Sequence, residues 1–184
     1  MNRYLRLPSR AIIMLVGFVV AFIPTTVMAS PFGQGVFGAN VPFGSVTSLA
    51  INLGGNVSLS LTTSGANLAG TGSHVITVTS TDVVGYQLFA RSNGSTNMTG
   101  ASATIPASAN STPAALSLNS WGFNTDGSAN FVGMTTVPRL IKDTSGPAKT
   151  GDTTTVTYKA FTDSTQASGQ YSTAVIYTVV AENQ

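Results

Sequence analysis

Residues 169–181 read GQYSTAVIYTVVA, and their pattern decides the fold class. Tyr171, Thr173, Val175, Tyr177 and Val179 share one parity, while Ala174, Ile176 and Val180 fall on the other. Both parities are apolar, and β-branched and aromatic residues dominate. Such a run suits a strand buried on both faces, as in the middle of a sandwich sheet. A helix is disfavoured, because consecutive Tyr, Thr, Val and Ile lose χ1 freedom in one. Gly169 supplies a turn before the run. The expectation is a long closing strand, central in its sheet.

Working back from that strand, similar runs recur. Residues 153–162 place Val156, Tyr158 and Ala160 on one face. Residues 86–92 point Tyr86, Leu88 and Ala90 one way and Gln87, Phe89 and Arg91 the other. Residues 74–79 and 41–53 are further strand runs, and in residues 57–62 Val57, Leu59 and Leu61 alternate with Ser58, Ser60 and Thr62. Short clusters of Gly, Ser, Asn and Asp separate these runs, as turns require. Residues 93–113 look loosest, and residues 131–141, interrupted by Gly133 and Pro138, should be irregular or an edge. No 3.6-residue period appears after residue 29. The fold expected is all-β: a single immunoglobulin-like antiparallel β-sandwich following an N-terminal signal peptide.

Residues 1–29 carry Arg3, Arg6 and Arg10, then the apolar run 11–23, then Pro24 and Val27-Met28-Ala29. This order matches a secretory signal cleaved before Ser30, and the run falls short of the roughly 20 residues that span a bilayer. Residues 30–40 (SPFGQGVFGAN) form an uncharged arm rich in glycine and aromatics, and residues 41–184 form the sandwich domain. The chain carries eight Lys and Arg against six Asp and Glu. Removing the three leader arginines leaves five against six, so no basic surface for nucleic acid is expected. With no cysteine, disulfides, thiolate metal ligands and thiol catalysis are excluded.

Three spots together resemble the WxL domain of Gram-positive cell surfaces. Val41-Pro42-Phe43-Gly44-Ser45 is similar to the Phe-Gly start of such domains. Asp82 followed by Gly85-Tyr86-Gln87-Leu88 is similar to their Gly-Trp-x-Leu segment, with Tyr86 in place of Trp. Gly169-Gln170-Tyr171 followed by Tyr177-Thr178-Val179 is similar to their closing Gly-x-Tyr and Trp-Thr-Leu, with Tyr177 and Val179 substituted. Pilin-like and spore-coat-like secreted sandwiches share the Phe-Gly start and the Gly-x-Tyr finish. The resemblance implies a noncatalytic surface protein held noncovalently at the cell wall or envelope.

His74 is the sole histidine, and no G-x-S-x-G or comparable nucleophile motif accompanies it, so it reads as a strand-end histidine with a satisfied ring. Asn124, Asp126, Ser128 and Asn130 alternate as in a calcium loop, but the twelfth position is Thr135 rather than Glu, which favours a polar turn. The expectations are therefore no enzyme, no cofactor and no metal. Four Asn-x-Ser/Thr sequences, at Asn56, Asn93, Asn97 and Asn110, are no more than the abundance of Ser and Thr produces. Candidate contacts for a partner or wall polymer are Phe32, Phe37 and Trp121, although a core plug suits Trp121 better. The expected location is extracellular, at the cell surface, with wall polymer or other surface proteins as partners. An alternative is a filament subunit that donates its arm to a neighbour's open sheet edge. A complete sandwich would favour the arm packing on its own domain.

Overall fold

The computed structural model describes residues 48–182, so the signal segment and the arm 30–40, with Phe32 and Phe37, lie outside the described residues. The alternation of residues 74–79 and 153–162 has its physical counterpart in two long strands, β3 (Asn67–Thr81) and β9 (Asp152–Asp163). They pair antiparallel from Asn67↔Asp163 to Val78↔Asp152 and form the middle of the first sheet. β1 (Ser48–Leu53) flanks β3, β7 (Ser120–Asn124) flanks β9, and the short β2 (Thr62–Ser64) pairs with the start of β3. The second sheet has the order β10 (Val175–Glu182), β4 (Gly85–Ser92), β8 (Arg139–Ser145). β5 (Met98–Thr99) and β6 (Thr104–Ile105) make a separate two-stranded piece. Among the described residues there is no helix, and every named ladder is antiparallel. The fold is an all-β sandwich.

Period-two patterning places the core between the sheets. Ile76 and Val78 of β3, Val156, Tyr158 and Ala160 of β9, and Trp121 and Phe123 of β7 meet Tyr86, Leu88 and Ala90 of β4, all buried. The inward and outward sets expected for residues 86–92 and 153–162 are those observed.

Two expectations need correction. The closing strand is not central: β10 pairs only with β4 and forms the edge of the three-stranded sheet. Its even parity, with Ile176 and Val180, faces outward, and Val180 is 48% exposed. Two-sided apolarity therefore reflects a hydrophobic outer face, not burial on both sides. Residues 57–61 are not a strand, although their alternation is real: Val57, Leu59 and Leu61 pack on the core while Ser58 and Ser60 are exposed. This segment runs against β3 where Gly70 and Gly72 leave room. A Cβ on Gly70 would lie 2.5 Å from the Ser60 carbonyl oxygen, and one on Gly72 would lie 2.7 Å from that of Ser58. Those two glycines resemble a turn in sequence, yet they sit inside a strand because another backbone approaches them there.

Candidate functional site

The first sheet ends in β1 and the second ends in β10, and these two edges lie against each other across one mouth of the sandwich. In β1, Leu49, Ile51 and Leu53 are paired with Ser80, Val78 and Ile76, so they share the inward face of the core residues Ile76 and Val78. They are nevertheless incompletely covered: Ile51 is 36% and Leu53 45% exposed. Inward aliphatics stay exposed at β1 because the opposing sheet has three strands against the four of the path β1-β3-β9-β7. Its last strand, β10, turns Val175, Tyr177, Val179 and Ala181 inward, level with Ser92, Ala90, Leu88 and Tyr86.

The main chain of β10 shows which of its groups remain available. The carbonyls of Ala174 and Glu182 accept from Asn93 and Val84, on the β4 side. Since peptide groups alternate along a strand, the even residues bond to β4, and Val175, Tyr177, Val179 and Ala181 direct their N–H and C=O groups away from it. Among the described residues, nothing pairs with that row. The result is a groove whose floor is aliphatic and whose one wall is an unpaired strand edge.

A polar strut closes one end of the groove. His74 Nδ1 lies 3.2 Å from the carbonyl oxygen of Gly55, just past β1, and Nε2 lies 2.9 Å from the Tyr177 hydroxyl. A carbonyl can only accept, so Nδ1 carries the hydrogen in the neutral ring and Nε2 accepts from Tyr177. The Tyr177 hydroxyl also hydrogen-bonds that of Tyr158 on β9. Burial pushes both phenols above the ordinary tyrosine range, and for Tyr177 the neighbouring Tyr158 adds to the effect. His74 stands in the middle of β3 rather than at a strand end, but its ring is satisfied as expected. Its partners are a carbonyl and a phenol, and among the described residues no serine is bonded to it.

At the other end a second set of contacts joins the sheets. Buried Tyr86 donates its hydroxyl to Asp152 Oδ2 at 2.7 Å, and Lys142 Nζ lies 2.6 Å from Oδ1. Lys142 also donates to the Thr153 carbonyl at 3.1 Å. Burial raises the Tyr86 phenol above its usual range, and the bond to Asp152 adds to this. Burial also works against the Asp152 carboxylate, but hydrogen bonds from Lys142 and Tyr86, with the Lys142 charge, outweigh it and hold the group below the usual carboxylate range.

The remaining candidates fall elsewhere. Trp121 is fully buried, with its indole N–H donated to the Thr96 carbonyl at 2.9 Å and its ring beside Tyr158. It plugs the core and presents no face to solvent. Residues 124–130 form a polar turn: Asp126 Oδ1 accepts from the Ser128 N–H, and the Asn124 amide donates to the carbonyls of Ser128 and Asn130. No group of three or more His, Cys, Asp and Glu able to hold a metal occurs among the described residues. Sequence reasoning missed the β1 contribution. The alternation of Leu49, Ile51 and Leu53 with Ala50 and Asn52 was its only signal, and that says nothing about what covers it.

No protein family and no curated protein matches the sequence. One solved structure is similar: a chain from a chaperone–tip adhesin complex described as vital for synergistic activation of CFA/I fimbriae biogenesis. Identity is 14%, the TM-score is 0.47, and the match covers 74% of this chain and 42% of that one. This chain thus spans less than half the length of its structural neighbour. The groove geometry alone supports the function proposed below.

Proposed function

We propose that this protein is a noncatalytic surface protein that works by strand addition, as a structural subunit of an extracellular filament. One observation carries this: β10 offers a main-chain edge that is unpaired among the described residues, beside Leu49, Ile51 and Leu53, which face the core side yet remain partly exposed. An extended segment laid along β10 gains ladder hydrogen bonds and buries that aliphatic floor, the two terms that drive β-augmentation. An open, apolar strand edge is also an aggregation hazard, and proteins normally blunt it with charge, proline or cover. From Val175 to Ala181, β10 carries no charge and no proline. That absence of protection fits an edge meant to be filled. The export signal expected at residues 1–29 agrees with an extracellular setting.

Attachment to wall polymer, the other role considered, has no comparable geometric support among the described residues, where Trp121 is buried. Negative-stain microscopy of concentrated mature protein tests the proposal. Fibres are expected. A protein that stays monomeric at all concentrations and sediments with purified cell wall would replace filament assembly with wall attachment.

A further inference from the structure

The geometry points to residues 37–43 of a second copy as the strand that fills the groove, running antiparallel to β10. This rests on the strand-addition reading above and specifies its partner, direction and register.

The segment reads Phe37-Gly-Ala39-Asn-Val41-Pro-Phe43. Its odd positions are Phe37, Ala39, Val41 and Phe43, all apolar, and its even positions are Gly38, Asn40 and Pro42. In a strand, the odd set faces one way. The acceptor has four inward residues whose main-chain groups are unpaired among the described residues: Val175, Tyr177, Val179 and Ala181. Antiparallel pairing of Phe37 with Ala181, Ala39 with Val179, Val41 with Tyr177 and Phe43 with Val175 uses all four and turns every apolar donor side chain toward the floor. It also sets the bulkiest donor residues at the ends of the run, Phe37 beside the small Ala181.

Proline fixes the register. Pro42 has no N–H, so it is tolerated only where its nitrogen faces away from the ladder. In the pairing above, odd donor residues exchange hydrogen bonds with odd β10 residues, and the peptide groups of Gly38, Asn40 and Pro42 point outward. A slip of one residue would aim the Pro42 nitrogen at β10 and turn the apolar side chains to solvent.

Chain length decides between a chain's own groove and a neighbour's. Residues 44–47 are four residues and span at most about 14 Å. They join the segment to Ser48, which pairs with Thr81. Glu182 pairs with Gly85, so Ser48 and the end of β10 lie at the same end of the sandwich. A segment filling its own groove would have to finish at that end, and would therefore run parallel to β10. Parallel pairing is the weaker arrangement and is absent from the named ladders of this fold. A neighbour's segment is free to run antiparallel, leaving at the opposite end into its own β1. The contact is then heterologous and head to tail, which propagates without closing.

Two full-chain experiments test this. In the first, Asn40→Pro should assemble like wild type, because that nitrogen faces outward, whereas Val41→Pro should abolish fibres. Assembly by both variants, or by neither, overturns the register. In the second, the chain has no native cysteine, so Ala39→Cys with Val179→Cys provides a clean probe. Oxidation should give an intermolecular ladder on a non-reducing gel, and Gly38→Cys with Val179→Cys should not. A disulfide formed within monomers overturns exchange between copies. Wild-type protein that forms no fibres overturns the filament reading itself; wild-type fibres, together with an Ala39→Cys/Val179→Cys variant that assembles without cross-linking, overturn only the assignment of the donor.

Discussion

The hydroxyl of Tyr177 joins three elements of the fold, and its removal as Tyr177→Phe isolates its worth. The ring stays, so the packing of Tyr177 against the core and beside His74 is kept. What disappears is the donor to His74 Nε2 and the partner of the Tyr158 hydroxyl. Tyr158 is 6% exposed and no other bond to its hydroxyl is found among the described residues, so water replaces the lost partner poorly. Leaving a buried polar group unpaired costs about 1–3 kcal/mol. Because His74 is only partly buried and recovers some hydration, a total of about 2 kcal/mol is expected, toward the middle of that range. With a urea m-value of about 2 kcal/mol/M for a domain of this size, the unfolding midpoint should fall by about 1 M. In a Tyr158→Phe background the same change should cost at least about 0.5 kcal/mol less, since one of the stranded groups is already gone. A Tyr177→Phe midpoint indistinguishable from wild type, or strictly additive single and double variants, would refute the strut as a stabilising unit.

Alkali gives a second view of the same network. The folded phenols of Tyr158 and Tyr177 are raised, so the stability they contribute is complete below the ordinary tyrosine value of about 10 and is lost as pH rises above it. Tyrosinate absorbance from these residues should appear together with unfolding, and their ionisation in a fully folded chain would contradict the burial described. Asp152 has the opposite sign: its folded value is lowered, so its contribution is complete above about pH 3.9 and is lost as pH falls through the folded value. Lys142→Met should move the start of acid unfolding to higher pH, measured by circular dichroism. Gly70→Val forces a side chain onto the Ser60 carbonyl and should destabilise the protein by about 1–3 kcal/mol, the usual range for overpacking. A wild-type melting temperature for that variant would mean that residues 57–61 do not press on β3. Mature protein from the native host should begin at Ser30, and N-terminal sequencing that finds Met1 would contradict signal cleavage.

Local alternation carried much of the fold. Tyr86, Leu88 and Ala90, and Val156, Tyr158 and Ala160, declare their inward faces in the sequence because neighbours two residues apart share an environment. β3 was legible only from His74 onward, since Gly70 and Gly72 resemble a turn until the backbone that crosses them is known. Residues 175–181 could not reveal whether β10 was central or peripheral: Ile176 and Val180 on an outer face spell the same pattern as buried ones. The groove was still less accessible. It needs β1 beside β10 and His74 beside Tyr177, a pair 103 positions apart, and no local pattern encodes such a meeting. Removing the centrality of β10 also removes the reason for expecting the arm to fold onto its own domain.

The order of the strands has a consequence for biosynthesis. β3 is central in the first sheet, yet its long ladder is made with β9, and β4 is central in the second, yet one of its two partners is β10, near the end of the chain. Pairings so distant in sequence fold slowly, because loop closure must precede the contacts that reward it. While the chain is synthesised from its N-terminus, β3 has β1 and β2 beside it but lacks β9, and β4 lacks both β8 and β10. The sandwich cannot lock until residue 177 has emerged and met His74. A chain built in this order leaves the inner faces of β3 and β4 open to misassociation until β9 and β10 have been made.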